Sequence, residues 1–376
     1  MKILFLRYRE MHIPLKVQFK QSNNSGANRS YSFILELETV DGVKGYGESC
    51  PRTYVTGESM EDVIRDLSVI QPGLIGREIP TYDSFKVELE HWYQQGIGPS
   101  IRCALELAWL DAWSRTENTP LPDLLGVRRI DSISYSLVLP LLQPEQLAGL
   151  LDRLKAFQPP ALKLKVDRDQ ERNLANIRTL RAHYGDHFSI RVDVNGGWSL
   201  EEAERYIPQM MDLGVTSFEQ PVAAEALSDM QTLTRLFGKE ARIMADESLL
   251  DIKNANYFLQ EKICNHFNLK ISKLGGIRPA LKIYRLAESY QVPCQLGAHF
   301  GETSLLTAAG ALLATLVSGK LTACEGALGE FLLDGDVCSP SMQHDLKGNL
   351  DLSRYWQEPG LTPPVLPERL EAYSDY

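Results

Sequence analysis

From residue 123 onward the chain alternates short, β-rich apolar runs with longer stretches whose apolar positions recur every three or four residues. The short runs predict strands at 133–139, 161–166, 189–194, 217–219, 242–245, 267–271, 294–298 and 321–325. The longer ones predict amphipathic helices, as at 200–213, where Ser199 and Glu202 form a capping box. Tips at 165, 193, 219, 246 and 270 are separated by 28, 26, 27 and 24 residues. Eight strands alternating with helices at that spacing predict an α/β fold, a (β/α) barrel. An open doubly wound sheet, the alternative, usually carries a Gly-rich phosphate loop after its first strand, and this sequence has none.

The first 122 residues have a different texture. Residues 1 to about 60 predict a β-meander, with strands at 33–38 and 43–48 around an Asp41-Gly42 turn. Ser59-Met60-Glu61-Asp62 opens a helical pattern, and two more follow at 82–93 and 101–114. Pro120-Leu121-Pro122 marks a boundary, giving a first domain over 1–122 and a barrel over 123–341. The Pro-rich tail over 342–376 is expected to wrap back onto the first domain.

Charge narrows the function. Lys and Arg number 39 against 49 Asp and Glu, a net charge of −10, and no basic run is present, so nucleic acid is not an expected partner. No apolar run is long enough to span a bilayer, and the opening Met1-Lys2-Ile3-Leu4-Phe5-Leu6-Arg7 is too short for an export signal. The six cysteines are scattered without a CxxC pair and read as free thiols in a reducing, cytoplasmic setting.

Barrel chemistry sits at the C-terminal strand tips. The second strand ends Lys163-Leu164-Lys165, and strand alternation puts both lysines on one face. If Leu164 packs outward, both enter the barrel mouth, each lowering the other's pKa; taken alone, the pair fits a frayed surface strand equally well. The third, fourth and fifth tips carry Asp193, Glu219 and Asp246. Any one could cap a helix or form a salt bridge, but three converging carboxylates suit a hard divalent cation such as Mg²⁺, with Mn²⁺ as a substitute. The sixth tip carries Lys270, opposite Lys165 in a closed barrel, while Lys273 reads as a surface residue.

Asp193-Val194-Asn195-Gly196-Gly197-Trp198, Glu219-Gln220-Pro221 and Ala245-Asp246-Glu247-Ser248 together resemble the metal-binding signature of the enolase superfamily. Lys163-x-Lys165 with Lys270 resembles its muconate-lactonising subgroup. Gly45-Tyr46-Gly47-Glu48 and Val55-Thr56-Gly57-Glu58-Ser59 resemble the capping domain of the dipeptide epimerases in that subgroup. The resemblance implies a modified TIM barrel of the enolase type closed by an α+β capping domain. It implies Lys165 and Lys270 as an acid/base pair tuned by Lys163, with Asp193, Glu219 and Asp246 as Mg²⁺ ligands and Asn195 and Glu247 behind them. The implied activity is abstraction of the proton α to a carboxylate through an enediolate, in a racemase or epimerase of dipeptides or N-acylated amino acids. The alternative is o-succinylbenzoate synthesis or a muconate-type cycloisomerisation. Expected partners are a small carboxylate substrate and further copies of this chain. Thr56, His299 and Glu325 are candidate substrate contacts; the dipeptide epimerases carry an Asp-x-Asp pair where this chain reads Ala323-Cys324-Glu325-Gly326-Ala327.

Overall fold

The computed structural model describes residues 1–21 and 24–374. The chain opens with β1 (Ile3–Met11), β2 (Pro14–Gln21), β3 (Asn24–Arg29), β4 (Ser32–Thr39) and β5 (Lys44–Ser49). Strands β1, β4 and β5 form an antiparallel sheet, and β2 pairs with β3 in a separate hairpin. Three helices follow, α1 (Met60–Leu74), α2 (Tyr82–Gln94) and α3 (Pro99–Thr116). The Ser59 hydroxyl caps α1 while the Asp62 carboxylate accepts from the Ser59 N–H, a reciprocal capping box.

Helix α3 is apolar on nearly every side and buried accordingly. It lies so close to β5 that a Cβ at Gly47 would stand 2.0 Å from the Ala104 carbonyl oxygen, and one at Gly45 2.2 Å from that of Ala108. The glycines of Gly45-Tyr46-Gly47-Glu48 thus permit backbone contact. Glu48 reaches the other way: its carboxylate accepts from the Thr303 N–H and hydroxyl and from the Leu306 N–H, seating the cap on the barrel.

After the short α4 (Leu121–Leu124) come β6 (Ser132–Ser134) and β7 (Leu137–Leu139), then α5 (Pro144–Arg153), β8 (Ala161–Lys165), α6 (Gln170–Tyr184) and β9 (Ser189–Asp193). The alternation continues with α7 (Leu200–Met211), β10 (Ser217–Glu219), α8 (Leu227–Phe237), β11 (Arg242–Ala245), α9 (Ile252–Glu261) and β12 (His266–Leu269). It ends with α10 (Ile271–Leu274), α11 (Ile277–Ser289), β13 (Cys294–Leu296) and α12 (Ser304–Leu316). Strands β7 to β13 form one parallel sheet in sequence order. The predicted capping box at Ser199 and Glu202 opens α7.

Three strand expectations need correcting. The 133–139 run is split: β6 leaves the barrel to pair antiparallel with β14 (Asn349–Asp351) of the tail, because the Tyr135 N–H is drawn to the Gly348 carbonyl. The 321–325 run is no regular strand. It bridges Tyr135 on one side and Leu296 on the other through Cys324, closing the sheet as an eighth stave before Gly326, at φ 110°, turns the chain away. Strand β12 stops at Leu269, since Lys270 already caps α10. The tail also divides. Beyond β14, the helix α13 (Pro367–Ala372) returns to the cap, where the His12 N–H donates to the Tyr373 carbonyl and Leu370 packs with Met11 and Ile34. Among the described residues all six cysteines are free and buried, and no helix is long and apolar enough to cross a membrane.

Candidate functional site

Each parallel strand sends alternate side chains into the barrel. Register places Lys165 beside Asp193 and Asp193 beside Glu219 at the tips, with Lys163 beside Arg191 one layer below. Asn268 and Gln295 are level with each other on β12 and β13. The interior layer that branched apolar residues fill in many barrels is polar here, and its members satisfy one another.

Lys163 is the hub. Its ammonium donates to Glu325 at 2.6 Å and to Glu219 at 3.1 Å, and lies 3.5 Å from Asp193. Burial alone favours the neutral amine, but Glu219, Glu325 and Asp193 outweigh it and hold Lys163 well above the usual lysine range. The expected mutual lowering of the lysine pair therefore does not describe Lys163, whose charge is balanced by three carboxylates. Glu219 also accepts from Asn268 at 2.9 Å and Gln295 at 3.1 Å.

Lys165 donates to the Asn195 side-chain oxygen at 2.7 Å and stands 3.5 Å from Asp193. Asn195 passes the connection on, donating to Glu247 at 2.9 Å. Asn195 takes left-handed backbone geometry (φ 49°), which asparagine tolerates better than most residues. Across the barrel, Lys270 donates to Asp246 at 2.5 Å. Burial lowers its proton affinity, but Asp246 and Glu247, with no metal charge opposing them, outweigh that and raise Lys270 above the usual lysine range.

Lys273 is the clearest departure from the sequence reading. It is only 1% exposed, and its ammonium donates to the Asp246 carbonyl at 2.5 Å and carboxylate at 2.8 Å. The single turn of α10 folds it back beneath the strand tip. Replacing Lys273 with Ala should cost about 3 kcal/mol of stability by leaving Asp246 half-compensated, where a surface lysine would change it by under about 0.5. Urea unfolding decides between them.

Asp193, Glu219 and Asp246 are each no more than 2% exposed, on three adjacent strand ends. Burial opposes ionisation of Asp246, yet Lys270 and Lys273 prevail and hold it well below the usual carboxylate range. Among the described residues no three such groups are drawn into a chelating cluster; ammonium groups are their partners. As a donor set, three carboxylates on adjacent strand ends fit Mg²⁺ in the chemistry of their hard oxygens.

Asp193, Lys163, Lys165, Asn195, Glu247 and Lys270 form the polar floor of one cleft of about 850 Å³, open to solvent; Glu219 and Asp246 are not among its lining residues. Its upper wall includes Tyr54 and Val55 of the cap loop. Thr56 serves the loop instead: its hydroxyl lies 3.4 Å from both the Arg52 carbonyl and the Glu58 N–H. His299 lines the cleft, 7% exposed, and burial followed by Lys270 and Arg52 pushes its imidazole well below the usual range, so the ring is neutral. Glu325 lines it too, with one oxygen on Lys163 and the other 3.0 Å from Arg191.

The sequence reading missed Glu302, which accepts from the His299 N–H at 2.5 Å and lines the cleft. Its signal was the three-residue spacing to His299 just before α12. Burial, only partly opposed by that N–H, pushes Glu302 up to about 8. The folded state then holds a proton that the unfolded chain releases near the ordinary glutamate value of about 4.3, so this residue's contribution to stability falls between roughly pH 4 and 8. Glu302→Gln should match the wild type at pH 4 and exceed it at pH 9 by at least about 1 kcal/mol, read by urea denaturation at both values.

Residues 6–126 match the mandelate racemase / muconate lactonizing enzyme N-terminal domain, and residues 146–361 match the enolase C-terminal domain-like family. The chain is 30% identical over 314 residues to the L-Ala-D/L-Glu epimerase of Bacillus subtilis, covering 82% of this chain and 84% of that protein. It is 28% identical over 317 residues to the N-succinyl-L-Arg/Lys racemase of Bacillus cereus, covering 82% and 83%. Its fold matches the crystal structure of a dipeptide epimerase from Cytophaga hutchinsonii complexed with Mg and the dipeptide D-Ala-L-Val, with a TM-score of 0.87 at 25% identity over 99% of this chain and 98% of that one.

Proposed function

The chain belongs to the mandelate racemase / muconate lactonizing enzyme family of the enolase superfamily, and from that premise we propose that it inverts the carbon α to a carboxylate in an N-acylated amino acid or N-blocked dipeptide. One observation carries the reading: Lys165 and Lys270 enter a single cleft from the second and sixth of eight staves. A carbon held between them has an amino group on each face.

An amine cannot remove so weakly acidic a proton unaided. A Mg²⁺ ion held by Asp193, Glu219 and Asp246, or Mn²⁺ in its place, supplies positive charge where the substrate carboxylate becomes more negative. The rest is done by side chains. The lysine facing the α-hydrogen takes it as a proton, leaving the C–H electron pair on the substrate. The opposite ammonium donates a proton to the other face, and the configuration inverts. Asn195 holds Lys165 and Asp246 holds Lys270, so each nitrogen is fixed relative to the carbon. Tyr54 and Val55 cover the cleft from the cap and restrict water.

Preference for a blocked amine rests on the eighth stave. Both oxygens of Glu325 are engaged by Lys163 and Arg191, and the wall beyond is small and apolar at Gly326, Ala327 and Leu328. The Glu325 oxygen that makes no hydrogen bond among the described residues lies 3.0 Å from the Arg191 guanidinium, whose charge opposes a substrate ammonium there. Losing a charge-assisted bond to that ammonium weakens binding about tenfold or more. An N-acetylated dipeptide should therefore show kcat/KM at least about tenfold above that of the same dipeptide with a free amino terminus. A preference for the free amine that Glu325→Gln abolishes would overturn this substrate assignment.

A further inference from the structure

The barrel holds a second cavity at the opposite, N-terminal ends of its strands, enclosing about 1070 Å³ of space open to solvent. Arg191, Arg242, Ser136, Ser189, Thr216 and Ser217 are among its walls, and no Asp or Glu is among the described wall residues. In a chain of net charge −10 that is an isolated positive cavity.

Its donors are underused. Arg191 is 5% exposed; one terminal nitrogen donates to Gln295 and the other pairs with Glu325, but its Nε has no partner among the described residues. Glu325 is shared with Lys163, so it is not a full counter-charge for Arg191. Ser217, 1% exposed, likewise has a hydroxyl without a partner among the described residues. Arg242 stands exposed at the mouth and makes no salt bridge among the described residues. The positive potential is felt by His266, which burial, then Arg242 and Arg191, push down to about 3.

We propose that this basal cavity binds a small oxyanion of the phosphate class, held by the guanidinium groups of Arg191 and Arg242 and the hydroxyl of Ser217. Water could fill the space and accept from Arg191 Nε, but it leaves the Arg242 guanidinium without a counter-charge among the described residues. A tetrahedral oxyanion matches the fork geometry of arginine and presents acceptors to the surrounding hydroxyls.

Calorimetric titration of the Mg²⁺-loaded protein with inorganic phosphate tests this. One saturable site is expected, weakened at least about tenfold in Arg242→Gln and in Ser217→Ala, and unchanged in Lys270→Ala, which alters only the cleft at the other end. Absence of saturable binding would mean that the cavity holds water only. Binding undiminished in Arg242→Gln, or lost in Lys270→Ala, would place the anion elsewhere. Any of these results overturns the proposal. Once phosphate binding is established, glycerol 3-phosphate separates the sources: competition assigns the phosphoryl group of a metabolite, and exclusion assigns the free ion.

Discussion

Lys165→Ala and Lys270→Ala should each lower racemisation or epimerisation by at least about a thousandfold, within the range that a positioned acid or base contributes. In the proposed two-base reaction each nitrogen serves one face of the substrate carbon, and neither can cross the barrel. The bonds around them say why no neighbour substitutes. The hydrogens of Lys163 are committed to Glu325 and Glu219, and those of Lys273 to Asp246, beneath the strand tip. Truncating Lys165 leaves the Asn195 oxygen without that donor, and truncating Lys270 frees one oxygen of Asp246 while Lys273 still holds the other. Both proteins should fold, which near-UV circular dichroism checks, so the loss is chemical. The full reaction, followed by polarimetry, would contradict the two-base reading if either variant ran at the wild-type rate.

Removing the divalent ion should have an effect of similar size. Wild-type protein in excess chelator should lose at least about a thousandfold in kcat, several kcal/mol of stabilisation for the charge developing on the substrate carboxylate. Added Mg²⁺ should restore it, and Mn²⁺ should restore it in part or in full. Asp246→Asn should lower activity comparably at ordinary Mg²⁺ concentrations, because the carboxylate lost is one of three donors and also balances Lys270 and Lys273. Structural damage and metal loss are separable, since the chelated wild type keeps every side chain. Undiminished activity in chelator would remove the metal from the account.

The tips were legible because two simple periodicities coincide. Alternation put Lys163 and Lys165 on one face, and the near-constant strand spacing aligned Asp193, Glu219, Asp246 and Lys270. The same alternation, followed two residues back from Asp193 and Lys270, leads to Arg191 and Asn268, so the polar interior was readable from residues already singled out. Lys273 was not. Its burial depends on one helical turn that begins at Ile271, where the strand was expected to continue. The division of the first stave was equally hidden, since β6 is claimed by β14, more than two hundred residues later, a pairing no local pattern announces. Glu325 was legible as an acid at the eighth tip, but its direction was not: its partners, Lys163 and Arg191, are set by closure of the barrel.

Two lysines that address opposite faces of one carbon leave a signature in deuterium exchange. Each purified stereoisomer of an N-acylated amino acid is incubated in D₂O with Lys165→Ala or with Lys270→Ala, and α-deuterium is followed by mass spectrometry. Complementary behaviour is expected: each variant exchanges the α-hydrogen of one stereoisomer without converting it, and the two variants differ in which one. Exchange of both stereoisomers by the same variant, or of the same stereoisomer by both variants, would contradict it.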